Sequence, residues 1–254
     1  MRRFCLGLAA LMLGAFAGAA EPDARRSGFA YMSPATQSMQ TDDSQNPALL
    51  WIKDGEALWR QPAGKTGQSC AGCHAEPAAM RGVATRYPAF DALQKRPVNL
   101  AQRINLCRER HQGASPWPLE SSELLSLETL VAFQSRGLPQ ATPADPRLRA
   151  FLARGEQRFH QRSGQLNLSC AQCHDDNAGK RLAASTIPQG HATGYPIYRL
   201  EWQGLGSLQR RLRNCQSGVR AAVSPFGALE LVELELYLAG RAAGMPLETP
   251  AVRP

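Results

Sequence analysis

The chain has 254 residues, enough for one large domain or for two domains of about 100 residues each. Its formal net charge is +8 and it contains no acidic run, so its surface should attract anions or an acidic partner. Nucleic acid is a poor partner for this composition, because no basic cluster interleaved with aromatic residues is present.

The first 20 residues have the pattern of an export signal. Arg2 and Arg3 precede an uncharged stretch of 17 residues, from position 4 to position 20, whose end is rich in alanine and glycine. An uncleaved membrane anchor is the alternative, but the small residues at the end favour cleavage. We therefore predict a signal peptide over residues 1–20 and a periplasmic mature protein, in which no further apolar run is long enough to span a membrane.

Residues 21–45 are rich in Ser, Thr, Gln and Asp and predict an extended N-terminal arm. After the arm, the chain repeats itself at an offset of about 100 residues, as expected for a duplicated domain. Each copy opens with a capping residue followed by proline, at Asn46 and Asp145, which predicts the start of a helix. Both predicted helices contain the pattern Gly-Glu-x-x-aromatic, beginning at Gly55 and Gly155.

The offset of 100 also relates two Cys-x-x-Cys-His segments, which end at His74 and His174. In c-type cytochromes the two thiols of such a segment bond to haem vinyl groups, and the histidine binds the iron. A zinc site or a redox dithiol is the alternative, but two exported copies that each follow a matching helix argue against it. The sequence therefore predicts two covalently bound haem c groups, with His74 and His174 as proximal ligands. The four attachment residues are Cys70, Cys73, Cys170 and Cys173.

Two further cysteines, Cys107 and Cys215, are equivalent, because the offset becomes 108 after an apparent insertion of eight residues in the second copy. Apolar residues three and seven positions before each cysteine predict a helix with the cysteine on its apolar face. An arginine stands one helical turn earlier in each copy, as Arg103 and Arg211. From its spacing alone, either arginine could pair with a haem propionate or support a thiolate.

Three interpretations of the cysteine pair stay open at this point: two buried thiols, one disulfide, or two thiolate ligands of haem iron. In a duplicated chain, each of the two equivalent cysteines should lie beside the haem of its own domain rather than beside the other cysteine. This favours ligation of haem iron by both thiolates over a disulfide. A thiolate ligand would lower the haem potential, which argues against a routine electron shuttle. The other candidate ligands have no equivalent in the other copy or lie in unfavourable places: Met80, Met245, His111, His160 and His191.

Each copy ends with another apolar helix, from about Ser122 to Phe133 and from after Pro225 to about Leu238. Strand-like alternation is scarce. We therefore predict a mainly α protein with two tandem, duplicated cytochrome c-like haem domains. The expected boundaries are residues 46–141 for the first domain and 142–254 for the second.

The run from Gly190 to Leu200 and the segment from Arg210 to Cys215, together with Cys107 and the two haem-attachment motifs, resemble the SoxA family. SoxA proteins are the dihaem subunits of the SoxAX cytochromes of bacterial sulfur oxidation. The resemblance covers nearly all of the mature chain. It implies an L-cysteine S-thiosulfotransferase, which joins thiosulfate oxidatively to a cysteine of the SoxYZ carrier protein and releases two electrons to cytochrome c.

The resemblance also implies roles for single residues. The family residue matching Cys215 is both a ligand of the active-site haem and the sulfur nucleophile, and it can carry an added sulfur as a persulfide. The arginine matching Arg211 contacts substrate, and the residue matching Cys107 binds the first haem. The active site would then lie in the second domain. A SoxX-like monohaem cytochrome c would form a heterodimer with this chain, and a SoxYZ-like protein would carry the sulfur.

Two other functions are alternatives to this interpretation. A thiosulfate dehydrogenase-like dihaem enzyme would couple two thiosulfates into tetrathionate. A pure electron-transfer dihaem cytochrome would need no substrate residues and would tolerate the loss of Arg211.

Overall fold

A computed structural model of the chain describes residues 23–254, so the predicted signal peptide lies outside the described residues. The described part is mainly helical, with a few short strands. Its α-helices are α1 (Pro34–Thr41), α2 (Leu49–Arg60), α3 (Cys70–His74), α4 (Leu100–Cys107), α5 (Ser122–Phe133), α6 (Arg149–His160), α7 (Cys170–His174), α8 (Leu208–Gly218) and α9 (Leu229–Arg241). Its strands are β1 (Ala89–Asp91), β2 (Arg96–Val98), β3 (Arg181–Leu182), β4 (Ser185–Thr186), β5 (Ile197–Arg199), β6 (Gly204–Gly206) and β7 (Ala251–Arg253).

The predicted duplication is visible in the order of the elements. The first half runs α2, α3, β1, β2, α4 and α5, and the second half repeats this order as α6, α7, β5, β6, α8 and α9. The antiparallel pairs β1–β2 and β5–β6 have equivalent registers, since Asp91 lies opposite Arg96 and Arg199 lies opposite Gly204. The second half adds the small hairpin β3–β4, which accounts for most of the predicted insertion. The predicted mainly α fold is confirmed.

Helix starts in both halves follow from the predicted capping residues. The Asn46 side chain accepts a hydrogen bond from the backbone N–H of Ala48 at 3.1 Å. The Asp145 carboxylate accepts one from the N–H of Arg147 at 2.9 Å. In each case the chain makes one irregular or 3-10 turn before the α-helix begins, at Leu49 and at Arg149.

Two glycines lie where the long helices of each half contact each other. Helix α2 packs on α5 and helix α6 packs on α9. A Cβ atom at Gly55 would lie 2.5 Å from the carbonyl oxygen of Ser126, and one at Gly155 would lie 2.1 Å from the carbonyl oxygen of Glu233. Glycine at these positions therefore lets the helix backbones approach each other, which explains the repeated Gly-Glu pattern.

We expect Gly155→Ala to destabilise the protein, although alanine is the better helix former. The new Cβ would clash with backbone that cannot move independently of α9, and such overpacking typically costs about 1–3 kcal/mol. The matched control is Gly240→Ala in α9, where the nearest atom would be 3.7 Å away. This control should be neutral or stabilising by up to about 1 kcal/mol. Urea unfolding of both variants measures the difference, and equal stability would contradict the packing assignment.

The core has three parts. One apolar cluster, which includes Ile52, Trp59 and Leu130, lies in the first half, and another around Phe159 and Leu238 lies in the second. A third cluster joins the two halves. Its buried members are Ala48, Leu125, Tyr198, Leu205 and Val252.

The chain ends also contribute to this junction. Strand β7 runs parallel to β5, and α1 of the N-terminal arm packs against β7. The arm is therefore helical over Pro34–Thr41, whereas the sequence predicted an extended segment. Helix α1 begins at Ser33-Pro34, where the Ser33 hydroxyl accepts a hydrogen bond from the N–H of Thr36. Within residues 23–254, no helix is both long enough and apolar enough to cross a membrane.

Candidate functional site

Two short helices, α3 and α7, hold the predicted haem-attachment cysteines. Each begins after a capping serine: Ser69 accepts a hydrogen bond from the N–H of Gly72 at 3.0 Å, and Ser169 accepts one from Gln172 at 3.2 Å. The two cysteines of each motif are three residues apart, so a helical turn places both thiols on one face. Local sequence thus forms the same attachment geometry twice.

Each of the other two cysteines lies in the same half as an attachment motif, and close to it. Burial, and then negative charge on Cys107, raise the pKa of Cys70, and burial, and then negative charge on Cys215, raise the pKa of Cys170. Cys107 and Cys215 therefore each lie near the attachment motif of their own half. No two of the six cysteines of residues 23–254 form a disulfide. The disulfide interpretation of Cys107 and Cys215 is therefore wrong for this structure.

In the second half, His174 and Cys215 face each other. The His174 ring bonds through Nδ1 to the carbonyl oxygen of Pro188 at 2.7 Å, and the Cys215 sulfur lies close enough to the same ring for each group to shift the pKa of the other. Gly190, at φ 73°, lies against the ring, where an added Cβ would be 3.1 Å from His174 Cγ. An imidazole nitrogen and a sulfur directed at one another, next to two attachment thiols, fit the ligand set of a c-type haem.

The electrostatic environments of the two cysteines differ. Burial raises the pKa of the Cys107 thiol above its ordinary value, and the nearby Arg103 and Arg110 only partly oppose this. Burial also raises the pKa of Cys215, but the neighbouring His174 ring and the charge of Arg211 outweigh burial and lower that pKa. The second site therefore favours a thiolate more strongly than the first.

In the first half, the arginine beside the cysteine is neutralised. Asp91 lies 2.9 Å from Arg103 and 2.8 Å from Arg110, and its side chain is only 3% exposed. The hydrogen bond from Arg110, with the charge of Arg103, holds the pKa of this carboxyl well below its usual range. Arg103, the equivalent of Arg211, is thus tied to an anion of the protein itself.

In the second half, the position equivalent to Asp91 is Arg199, at the same offset of 108 that relates Cys107 to Cys215. Arg199 bonds through Nε to the carbonyl oxygen of Pro254 at 2.8 Å and pairs with the largely exposed Glu201 at 2.7 Å. Burial, and then the positive charge of Arg211, lower its pKa, so the two guanidinium groups are neighbours. In the described part of the chain, the Arg211 side chain makes no ion pair or hydrogen bond. The second site therefore combines a thiol with two cations and is suited to an anion.

Sequence reasoning singled out Arg211 but missed Arg199. The sequence does contain an indication of Arg199. The offset of 108 that relates the two cysteines also relates Asp91 to Arg199, so the charge at this position is reversed between the two halves. What the sequence did not show is that this position lies beside the arginine of the cysteine helix, since the two are separated by a strand pair and a turn.

The other methionine and histidine candidates have different surroundings, and His191 is half-buried next to Gly190, which lies against the His174 ring. Met245 is buried and Met80 packs at the edge of the first core cluster. His111 and His160 are exposed, and the His160 ring lies against Phe159.

Comparison with known proteins places both halves in one family. The family model for the SoxA/TsdA cytochrome c domain matches residues 54–140 and 154–247. The L-cysteine S-thiosulfotransferase subunit SoxA of Pseudaminobacter salicylatoxidans is 36% identical over 229 residues, which cover 89% of this chain and 80% of that protein. The corresponding subunit of Paracoccus pantotrophus is 32% identical over 227 residues, which cover 89% of this chain and 78% of the relative.

A solved structure is also similar. The crystal structure of SoxXA from P. pantotrophus matches with a TM-score of 0.87 and 31% identity, over 91% of this chain and 87% of that one. The predicted family resemblance and the tandem cytochrome fold are confirmed, and the cytochrome c domain means that the chain binds haem c. The chain belongs to the SoxA family of c-type cytochromes.

Proposed function

We propose that this chain is the catalytic, dihaem subunit of an L-cysteine S-thiosulfotransferase. It attaches thiosulfate to a cysteine of a SoxYZ-like carrier protein and passes the two electrons released to cytochrome c. The haem iron would be held by His74 and Cys107 in the first domain, residues 46–141, and by His174 and Cys215 in the second, residues 142–254. The two haem c groups would be attached through Cys70, Cys73, Cys170 and Cys173.

One observation carries this proposal: the reversal of charge between the two halves. The first half places Asp91 against its arginine, whereas the second half places Arg199 beside Arg211 and Cys215. Thiosulfate is a dianion, and guanidinium groups keep their charge at all physiological pH values. Among the described residues, Arg211 has no ion pair, and a second guanidinium, Arg199, lies beside it rather than a carboxylate. The second site therefore offers a free cation next to a sulfur nucleophile, and we place the chemistry there.

The residues of the second site can perform an oxidative transfer in two steps. The Cys215 thiolate bonds to the sulfane sulfur of thiosulfate, with loss of two electrons, to give a cysteine S-thiosulfonate. The carrier thiolate then attacks that same sulfane sulfur and displaces the Cys215 thiolate, which regenerates the site. Overall, one carrier thiol and one thiosulfate yield the carrier S-thiosulfonate, one proton and two electrons.

The protein side chains bind and orient the reactants in this scheme. Arg211 and Arg199 hold the sulfonate oxygens, which directs the sulfane sulfur toward Cys215. His174 is fixed in one orientation by Pro188, so its second nitrogen points to the sulfur. The bound haem supplies an acceptor for single electrons whose potential the thiolate ligand lowers. Hydrolysis of the bond between the sulfane sulfur and the sulfonate group of the cysteine S-thiosulfonate would release hydrogen sulfate and leave the added sulfur on Cys215 as a persulfide.

The proposed partners follow from the relatives and from charge. The solved relative is a SoxXA complex, so we expect a SoxX-like monohaem cytochrome c to form a heterodimer with this chain and to accept its electrons. After loss of Arg2 and Arg3 with the predicted signal peptide, the formal charge is still +6, which is suited to an acidic carrier surface. The predicted signal peptide places the reaction in the periplasm, where haem attachment to exported cytochromes takes place.

The test is a reconstituted assay with the dihaem chain, a SoxX-like cytochrome, a SoxYZ-like carrier and thiosulfate. We expect reduction of the cytochrome only when the carrier is present, with one thiosulfonate added per carrier cysteine by intact-mass measurement. A carrier whose cysteine is replaced by serine is the control and should stop the reaction. Carrier-independent reduction with tetrathionate as the product would instead support a thiosulfate dehydrogenase, and no reaction with thiosulfate would support electron transfer alone.

A further inference from the structure

A cavity between the two domains is lined by two glutamates that the proposed sulfur chemistry does not use, Glu235, which is buried, and Glu128, which is half-buried. The cavity has a volume of about 100 Å³, which is room for several water molecules. Its lining residues come from both domains and fall into equivalent pairs, related by an offset of 108 up to the cysteine helices and of 107 after them. The cavity thus lies on the pseudo-twofold axis of the duplication.

Glu128 and Glu235 form one of these pairs, since each is the seventh residue of the last long helix of its domain, α5 or α9. Oε2 of Glu235 accepts a hydrogen bond from Asn99 of the other domain at 3.0 Å. Oε2 of Glu128 is buried and has no hydrogen-bond partner among the described residues. No lysine, arginine or histidine is among the residues that line the cavity. Ionising both carboxyl groups would cost free energy in this cavity, because no cation lines it. Binding a proton to one of them removes that cost.

Burial and the neighbouring carboxylates also favour the protonated forms of Glu128 and Glu235. Burial, followed by the negative charges of Glu235 and Glu120, raises the pKa of Glu128 to about 8. Burial also raises the pKa of Glu235 to about 7, and the hydrogen bond from Asn99 opposes it only in part. Glu120 itself bonds to Ser207 and lies near Arg210 and Arg213. The other titratable groups at the cavity are Tyr87 and Tyr195.

The cavity is also connected to both sulfur sites. Asn99 and Ser207 on its wall cap α4 and α8, the helices that carry Cys107 and Cys215 eight residues later. Tyr87 lies near Arg103, and Tyr195 lies near Arg211 and Cys215. Eight helical residues span about 12 Å. One unit charge at that distance changes the proton affinity of a carboxylate about tenfold, at an effective dielectric constant of about 20.

We propose that Glu128 and Glu235 form a proton-binding pair that takes up a proton when either domain gains an electron. This inference rests on the proposed function for the source of the electrons. Each electron released by sulfur oxidation adds one negative charge at a cysteine-ligated site. One carboxylate of the pair then gains one proton from solvent and becomes a carboxylic acid. It returns the proton to solvent when the electron leaves for the partner cytochrome.

The experiment measures proton uptake on reduction of the dihaem protein in weakly buffered solution between pH 6 and 9, together with the reduction potentials across the same range. We expect net proton uptake in the wild type, and potentials that fall as pH rises. The double variant Glu128→Gln/Glu235→Gln, which is neutral and nearly isosteric, should lose most of this uptake and most of the slope. Glu123→Gln, at an exposed position of α5, is the matched control and should behave as wild type.

Unchanged uptake and slope in the double variant would overturn the proton-binding pair. Should the variant fold poorly, infrared difference spectra of the wild type decide the question, because reduction must then increase the absorption of protonated carboxyl groups. The absence of any such carboxyl band would also overturn the inference. Haem content and thiosulfate transfer are measured on the same preparation. Their loss would count against the proposed function instead, so the two failures are distinguishable.

Discussion

Replacing Cys215 with alanine should abolish thiosulfate transfer, with a loss of about 10³-fold or more in turnover. The reason is that no other thiol of the second domain is available, because Cys170 and Cys173 are committed to haem attachment in our proposal. The protein should still fold and carry its haem, since attachment does not depend on Cys215. The measurement is the carrier-dependent assay, with haem content taken from the absorption spectrum.

Cys107→Ala is the matched comparison for this variant, because the two positions are related by the duplication. It should perturb the spectrum of the first haem and lower transfer far less than Cys215→Ala does. Electron paramagnetic resonance of the resting protein checks ligation separately, and we expect low-spin thiolate signals that each variant removes from its own site. Full transfer activity in Cys215→Ala would eliminate the proposed nucleophile.

Arg199→Asp should convert the second site into a copy of the first and lower activity with thiosulfate about 100-fold. In the first half, Asp91 binds Arg103 at 2.9 Å, and an aspartate at position 199 would neutralise Arg211 in the same way. Hydrogen bonds to charged groups contribute about 1.5–3 kcal/mol each, so losing one cation and neutralising another accounts for the expected loss. Most of it should appear as a raised KM for thiosulfate, because binding of the dianion is what changes.

Two control variants separate this effect from a general loss of positive charge. Arg149→Asp makes the same change of charge at an exposed position at the start of α6 and should leave the kinetics unchanged. Arg199→Lys keeps the charge but loses the planar fork, so it should retain more activity than Arg199→Asp. If Arg199→Asp bound thiosulfate as well as wild type does, the charge reversal would have no role in substrate binding.

Much of the fold could be predicted because it depends on residues that are close together in the sequence. The Cys-x-x-Cys-His motifs, the capping residues and the apolar helix from Ser122 to Phe133 can each be recognised from a short segment of the chain. The duplication then extended each local prediction to its equivalent in the other half. For the same reason, the sequence correctly placed Cys107 and Cys215 on helices with an arginine one turn away.

The parts that were not predicted depend on which residues meet after the chain has folded. The ion pair between Asp91 and Arg103 joins a strand to a helix, and no spacing rule connects them. The position of Arg199 beside Arg211 has the same origin. The equivalence of Glu128 and Glu235 was hidden because the offset changes from 108 to 107 after the cysteine helices. Their burial also runs against the usual exposure of glutamate.

The most direct test of the unequal roles of the two domains is mass spectrometry of peptides from the protein after reaction with thiosulfate under oxidising conditions, without carrier. Our account predicts added sulfur, as a thiosulfonate or a persulfide, on the peptide that contains Cys215 and none on the peptide that contains Cys107. Addition of the carrier should remove the modification from Cys215. Modification of Cys107, or of neither cysteine in a protein that transfers thiosulfate, would contradict the account.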